Sequence, residues 1–270
     1  MTDSASPPVP VVGVPTVELT QRSHALLRSR RVDRVRLEPL YGPRGSEAYA
    51  ALTAGDRSEV REIIAIARRV SGRILELAAG AGRLTVPLLA LGRPVVAVDS
   101  SATMLAQLRR AVPARLAGRL RTVLADMTTP VEGEAFGLVV LGATSITLLD
   151  QQGREALYEA VARSAAPGAR FLLSVAEEDA RSPQTIPDEP DGAVLSSEIR
   201  GDRRLVNIVL PADADGAVTV LVSSVTRLDR PALVAELLAH RFEIVGVTPV
   251  RLGGGRSTGV VLVEAACPTR

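Results

Sequence analysis

The sequence predicts an α/β protein with a mostly parallel sheet and helices on both faces. Two observations carry this prediction. Residues 74–77 form a short apolar run, small residues fill 78–82, and a helical pattern begins at Leu84, which is the order strand, tight loop, helix. A second apolar run then ends in Asp99, an acid at the end of a strand. Strand, glycine loop, helix, strand and acid in this order are typical of nucleoside-binding sites.

The residues of the glycine loop favour a cationic ligand over a pyrophosphate. Gly80 and Gly82 allow a sharp turn and a close approach of a ligand to the backbone. A dinucleotide site has a third glycine three residues later, where this chain has Thr85. Glu76, just before the loop, would repel a pyrophosphate and attract a cation. S-adenosylmethionine carries an amino group and a sulfonium but no phosphate. A nicotinamide dehydrogenase is the enzyme alternative, and Thr85 and Glu76 disfavour it.

Between residues 60 and 176 the chain resembles the class I S-adenosylmethionine-dependent methyltransferases. Their acid followed by Gly-x-Gly-x-Gly is present as Glu76 to Gly82, with Ala78 in place of the first glycine. The resemblance implies S-adenosylmethionine as the cofactor and S-adenosylhomocysteine as the product. The cofactor-binding residues that it implies are Tyr41, Glu76, Ala78, Gly80, Gly82, Asp99, Ser100, Met104, Asp126, Met127 and Gly142.

The resemblance also implies a part for several of these residues. Asp99 matches the acid that holds the ribose, and Ser100 and Met104 fall where the adenine is lined. Asp126 matches the aspartate that meets the adenine amino group, and Met127 would pack on the ring. Residues 136–143 resemble the fourth strand, whose end faces the methyl group. Tyr41 is similar to an N-terminal tyrosine that folds over the methionine part of the cofactor, and a tyrosine that only packs a loop is the alternative.

The fold that the resemblance implies is a Rossmann-like, mostly parallel sheet of seven strands, with an antiparallel C-terminal hairpin and a small antiparallel β insertion. Outside the cofactor core, the pattern predicts a helix-compatible stretch over 19–37, a turn at 40–45 and an antiparallel pair at 198–210 and 218–228. We expect five segments: a flexible leader at 1–20, a helical cover at 21–58, the cofactor-binding core at 59–176, a substrate-side loop and β insertion at 177–230, and a C-terminal helix and hairpin at 231–270.

Composition excludes some functions. The chain has 270 residues and a formal net charge of +2, so no broad basic face for nucleic acid is expected. All 32 basic residues are arginine, which removes lysine Schiff-base chemistry and the lysine of a phosphate-binding loop. One cysteine forms neither an intrachain disulfide nor a metal cluster, and no metal site is predicted. No membrane segment or secretory signal is visible, so a cytoplasmic location is the expectation.

The methyl acceptor is less well defined by the sequence. Residues 142–145 lack the Asn/Asp-Pro-Pro-aromatic motif of enzymes that methylate bases. Residues 40–49 and 56–62 weakly resemble methyltransferases of daptide-type ribosomal peptides, which implies N-methylation of a peptide N-terminal amine in bacterial natural-product biosynthesis. A small-molecule acceptor (polyketide, sugar or amino acid) and a non-catalytic S-adenosylmethionine-binding protein are the alternatives. Substrate-side candidates are His24, Tyr41 and Thr144. No catalytic base is assigned, and a homodimer stays open.

Overall fold

The computed structural model describes residues 18–53, 55, 57–177, 192–251 and 257–268. The chain divides into two compact units, and each is described by itself. The smaller unit takes residues 1–45 and 181–225, and the larger takes 46–180 and 226–270. The predicted leader lies almost wholly outside the described residues. So do residues 178–191 of the predicted substrate-side segment, and residues 252–256.

The helices and strands follow one another along both units. In chain order they are α1 (Gln21–Ser29), β1 (Val35–Pro39), α2 (Pro43–Thr53), α3 (Val60–Ala67), β2 (Ile74–Leu77), α4 (Thr85–Leu89), β3 (Val95–Asp99), α5 (Ala102–Ala111), α6 (Ala114–Ala117), β4 (Leu120–Leu124), β5 (Phe136–Leu141), α7 (Gln151–Ser164), β6 (Ala165–Ala176), β7 (Val194–Arg200), β8 (Arg203–Ala212), β9 (Val218–Thr226), α8 (Arg230–Ala239), β10 (Glu243–Arg251) and β11 (Ser257–Ala266).

The larger unit contains a sheet of seven strands in the order β10-β11-β6-β5-β2-β3-β4. The pairs β2–β3, β2–β5, β3–β4 and β5–β6 are parallel, whereas β11 is antiparallel to both β6 and β10. The predicted α/β fold, its mostly parallel sheet and its antiparallel C-terminal hairpin are therefore confirmed. The strand β2 is central and buried at all four positions, which explains why its sequence is apolar apart from Glu76.

Apolar side chains pack on both faces of this sheet. One cluster joins alternate residues of the central strands, such as Leu75 and Val139, to Leu157 of α7 and Leu233 of α8. The opposite cluster joins the intervening strand residues to helices α3, α4 and α5, and includes Ile63, Ile66, Ile74, Leu88, Leu105, Leu108 and Val140. Helices on both faces hold the strands in place, so the loops at the strand ends start from fixed positions. Among the described residues, no helix is long and apolar enough to cross a membrane.

The smaller unit contains a sheet of four strands in the order β1-β9-β8-β7. The strand β1 runs parallel to β9, and β7 and β8 form an antiparallel pair. Its core is aliphatic and includes Leu27 of α1, Leu37 of β1, Val209 of β8 and Val220 of β9. The second small sheet that the sequence predicted as an insertion is therefore present, and it pairs with a strand from the N-terminal region.

Two predictions in this unit are wrong in detail. The helix predicted within 19–37 ends at Ser29, and Val35–Pro39 is a strand. The polar and apolar residues of this strand alternate. Val35–Pro39 pair with Val218–Val222, so the backbone hydrogen-bonding groups of the segment are satisfied in a sheet rather than in a helix. The segment 198–210 was predicted as one strand, but it contains the end of β7, a turn with Gly201 at φ +59°, and β8. Gly201 permits this left-handed turn.

Candidate functional site

The carboxyl ends of four neighbouring parallel strands meet at one edge of the seven-stranded sheet. The strands are β4, β3, β2 and β5, in that spatial order. The segments that follow them are residues 125–127, 100–101, 78–84 and 142–144. Ligands of open parallel sheets bind outside this edge, so the loops here define the candidate site.

The loop after β2 turns sharply through residues with positive φ. Gly80 has φ +56° and Gly82 has φ +96°, values that glycine adopts without cost. A Cβ at residue 82 would lie 3.0 Å from Cγ of Leu108, so helix α5 also requires a small residue there. Ala78 has φ +50°. The alanine that replaces the first glycine therefore keeps the left-handed conformation, which costs about 1–2 kcal/mol in a residue with a Cβ.

Asp99 ties this loop to the end of β3. The Gly80 N–H donates to Asp99 Oδ2 at 2.8 Å, and the Ser101 N–H donates to Oδ1 at 2.8 Å. The hydroxyl of Ser101 in turn accepts from the Met104 N–H at the start of α5. The half-buried carboxylate at the end of β3 thus joins the glycine loop to the residue that precedes α5.

Glu76 is the third residue of β2, just before the glycine loop, and the pKa of its carboxyl is strongly shifted. It is 2% exposed, and burial raises its pKa from 4.5 to about 8; nearby Thr85 and Arg83 oppose this shift, and Asp99 adds to it. Its Oε2 and the Thr85 Oγ1 are buried without a hydrogen-bond partner among the described residues. Buried polar atoms are normally paired, and the Thr85 hydroxyl is itself a donor beside this carboxyl, so Glu76 is the acceptor at which a further donor fits.

Glu59, immediately before α3, connects the loops after β2 and β5. Its Oε1 accepts from the Ala143 N–H at 2.7 Å and from the guanidinium of Arg83. Arg83 also donates to the Ser58 carbonyl at 2.8 Å. A Cβ at Gly142 would lie 2.9 Å from Glu59 Oε1. No motif in the sequence marks Glu59 or Arg83; the one local signal is an acid before an apolar helical pattern.

The loop after β5 has an unusual backbone. Ala143 and Thr144 are consecutive residues with φ of +56° and +52°. The Thr144 N–H donates to Oγ of Ser174, a fully buried side chain of β6, at 2.8 Å. Left-handed residues other than glycine cluster at ligand sites and persist where surrounding contacts hold them. Ser174 also escaped the sequence analysis, because one serine within a strand carries no signal of its own.

Comparisons with known proteins agree with this geometry. A family model described as a methyltransferase domain matches residues 74–168. The crystal structure of the glycopeptide N-methyltransferase MtfA with S-adenosylmethionine is 31% identical to the chain, covers 93% of it and 98% of MtfA, and superposes with a TM-score of 0.65. This chain is an S-adenosylmethionine-dependent methyltransferase. The class I resemblance and the cofactor are thus confirmed; the daptide-type resemblance is not shown.

Two more distant structures share the fold of the methyltransferase. The CcbJ methyltransferase from Streptomyces caelestis is 18% identical, covers 80% of the chain and 98% of its own, and has a TM-score of 0.68. The amino pentose methyltransferase CalS10 from Micromonospora echinaspora, bound to S-adenosylmethionine, is 21% identical, covers 94% of the chain and 100% of its own, and has a TM-score of 0.57. No curated protein matches the sequence.

The remaining predicted cofactor residues of the methyltransferase lie around β3 and β4. Ser100 is exposed directly after β3, and Met104 is buried on α5. Asp126 is exposed, and its Oδ1 accepts from the N–H and the hydroxyl of Thr128 at 2.8 and 2.6 Å, which fixes the turn. Met127, next to it, is half-buried. The sheet thus brings all the predicted cofactor residues of the larger unit to one edge.

Two of the predicted residues belong to the smaller unit. Tyr41 is exposed just after β1, and His24 is exposed on α1. Their parts at the cofactor or the acceptor stay predictions. In the described residues, no group of three or more His, Cys, Asp or Glu side chains is arranged to hold a metal ion.

Proposed function

We propose that this methyltransferase transfers a methyl group to an amine nitrogen of a peptide acceptor in bacterial natural-product biosynthesis. The observation that carries the proposal is the 31% identity to a glycopeptide N-methyltransferase over almost the whole of both chains. The N-terminal amine of a ribosomally made peptide is the specific acceptor that we propose.

The geometry of the site fits S-adenosylmethionine. The buried Glu76 Oε2 has no hydrogen-bond partner by geometry among the described residues, and the cofactor brings an ammonium group that can donate to it. We propose that Glu76 receives the amino group of the methionine part and that Asp99 receives the ribose hydroxyls. The backbone at Ala78, Gly80 and Gly82 would pass under the cofactor. The remaining proposed contacts are adenine on Ser100, Met104, Asp126 and Met127, and the methyl region at Gly142.

When bound, the cofactor supplies a methyl group that is attached to a sulfonium sulfur. The thioether that remains after transfer, S-adenosylhomocysteine, is a good leaving group. The residues of the chain then mainly hold the acceptor nitrogen and the methyl group in line. Such positioning lowers a barrier by about 7–11 kcal/mol in ideal cases. A strong base is unnecessary when the acceptor is neutral in solution. A peptide α-amine has a pKa of about 7.7–8.0, so a large fraction is neutral near pH 7.5, whereas a lysine amine at about 10.4 is almost fully charged.

The carboxyls at this edge of the sheet support an acceptor of that kind. Both oxygens of Asp99 accept backbone N–H groups, and Glu59 is bonded to Arg83 and Ala143. Glu76 is the proposed partner of the amino group of the methionine part, so its carboxyl is engaged as well. A neutral alcohol is a weaker nucleophile than a neutral amine, so it would need a base that these three carboxyls do not offer.

A matched set of acceptors tests the proposal by mass spectrometry. Purified protein and S-adenosylmethionine are incubated with short peptides that carry a free N-terminal amine and with the same peptides after N-acetylation. We expect methylation of the free peptides only, at the N-terminal nitrogen. Equal methylation of acetylated peptides would contradict the proposal.

Small molecules in the same assay decide between the alternatives. Methylation of amino sugars, amino acids or phenols, without any peptide product, would favour the small-molecule methyltransferase. Tight binding of S-adenosylhomocysteine together with no transfer to any acceptor or cell extract would favour a non-catalytic cofactor-binding protein.

A further inference from the structure

Glu59 occupies a position that helix formation alone does not explain. It precedes α3 at the N-cap, where Ser, Thr, Asp and Asn are favoured, and its side chain makes no capping bond to the helix. Its φ is +57°, a left-handed value that is unfavourable for a residue with a Cβ. An acid that is poor for the helix start on both counts is expected where its side chain has another task.

The side chain of Glu59 reaches from α3 to two loops of the candidate site. The carboxylate is buried, with 4% of the side chain exposed, and it forms an ion pair with Arg83, whose side chain is 18% exposed. Its Oε1 also accepts the Ala143 N–H at 2.7 Å. One oxygen therefore joins Arg83, which follows the glycine loop, to Ala143, the second residue after β5.

The helix that carries Glu59 is firmly placed. Ile63 and Ile66 of α3 pack in the same buried cluster as Leu84 and Leu88 around α4. Arg83 adds a second tie, because its other terminal nitrogen donates to the Ser58 carbonyl. Glu59 thus contacts the two loops from the start of a firmly packed helix. Precise positioning of a reacting pair requires such rigid support.

The loop after β5 is built to receive this carboxylate. Gly142 leaves room for it, since a Cβ there would come within 2.9 Å of Glu59 Oε1. Ala143 and Thr144 both have positive φ, and their N–H groups are held by Glu59 and Ser174 respectively. Two side chains from different elements therefore maintain a strained backbone, at the strand end that faces the methyl group in the proposed function.

We infer that Glu59 is a positioning residue for methyl transfer: it locks the backbone at Gly142–Ala143 to Arg83 and so fixes where the acceptor nitrogen meets the methyl group. This inference rests on the proposed function. It assigns Glu59 no contact with the substrate and no proton transfer.

The matched pair Glu59→Gln and Glu62→Gln tests the inference. Both acids are buried at α3, but Glu62 is bonded to its neighbour Arg61 and not to either loop. Methyl transfer to a peptide that the parent methylates is measured at saturating S-adenosylmethionine, and S-adenosylhomocysteine affinity is measured by calorimetry. For Glu59→Gln we expect kcat to fall by about tenfold to a hundredfold, with affinity within about threefold of the parent. Glu62→Gln is expected to keep both.

Two results would overturn the inference: a kcat of Glu59→Gln equal to that of Glu62→Gln, or a loss explained wholly by weaker cofactor binding. If Glu59→Gln does not fold, Arg83→Gln tests the same tie from its other end, with the same expected kcat loss.

Failure of the proposed acceptor is separable from failure of this inference. If the parent methylates no peptide, the affinities for sinefungin and S-adenosylhomocysteine are compared, because sinefungin places an amine where the methyl group would be. We then expect the preference for sinefungin to drop several-fold in Glu59→Gln only. An unchanged preference would overturn the inference without any acceptor.

Discussion

The loops after β2 and β5 lie side by side at the same edge of the sheet, yet they reach their conformations by different means. The loop after β2 turns on Gly80 and Gly82, and only Ala78 has a positive φ with a Cβ. The loop after β5 has positive φ at Ala143 and Thr144 and no glycine at either position. The first loop takes its left-handed turns mainly from its own glycines, with one tie from Asp99 to the Gly80 N–H. The second is held by Glu59 and Ser174, which come from elsewhere in the chain.

This difference separates two kinds of functional loop. A glycine loop carries its conformation in its local sequence, because glycine alone enters the left-handed region freely. A loop held by distant side chains depends on the folded core, so its strain persists only while those contacts exist. Substitutions should therefore act locally in the first loop and through remote partners in the second.

The largest expected effect concerns Glu76, at the entrance of the first loop. Its folded pKa of about 8 lies above the ordinary 4.5, so the folded protein binds the proton more tightly than the unfolded chain. The free energy of unfolding should fall as pH rises between these values, by about 1.4 kcal/mol per unit. Glu76→Gln removes this loss. In thermal melts without cofactor, the free energy of unfolding of Glu76→Gln should exceed that of the parent by a small amount at pH 5 and by several kcal/mol at pH 8. Parallel pH profiles for variant and parent would contradict this.

The second expected effect concerns the space that Gly142, in the loop after β5, leaves for the side chain of Glu59. A Cβ in Gly142→Ala would lie 2.4 Å from Leu84 Cδ1 and 2.9 Å from Glu59 Oε1. Overpacking of this kind costs about 1–3 kcal/mol. Denaturant unfolding measures it, with Gly118→Ala as the control, because residue 118 has φ −66° and no atom within 4 Å of a Cβ. Equal stability of the two variants would show that the second loop is not tightly held.

The smallest effect compares the alanines of the two loops directly. Ala78→Gly and Ala143→Gly each relieve about 1–2 kcal/mol of left-handed strain. The greater freedom of glycine in the unfolded chain offsets about 0.4–1 kcal/mol of that. We expect each variant to gain about 0.5–1 kcal/mol in the free energy of unfolding. Ala106→Gly, inside α5, should lose about 1 kcal/mol. A loss in either loop variant that matches Ala106→Gly would refute the strain.

The same contrast explains what the sequence could predict. The run at 74–77, the glycines and Asp99 predicted strand, loop and acid, because local backbone demands are written in neighbouring residues. Glu59 and Ala143 are 84 positions apart, so no local pattern reveals their hydrogen bond. The strand at Val35–Pro39 was missed for a similar reason: its partner is Val218–Val222, and pairing across that distance overrode a helix-compatible stretch.

The most direct test of the account is calorimetric titration of the free protein with S-adenosylhomocysteine. If the strand-end loops form the cofactor site, then Asp99, which accepts the N–H groups of Gly80 and Ser101, should be essential for binding S-adenosylhomocysteine. We expect saturable binding by the parent, no binding of NAD, and an affinity of Asp99→Ala lower by about tenfold or more, since hydrogen bonds to a charged group contribute about 1.5–3 kcal/mol. Asp150→Ala, which removes a helix cap from α7, should keep the parent affinity. Unchanged affinity in Asp99→Ala, or saturable binding of NAD alone, would contradict the account.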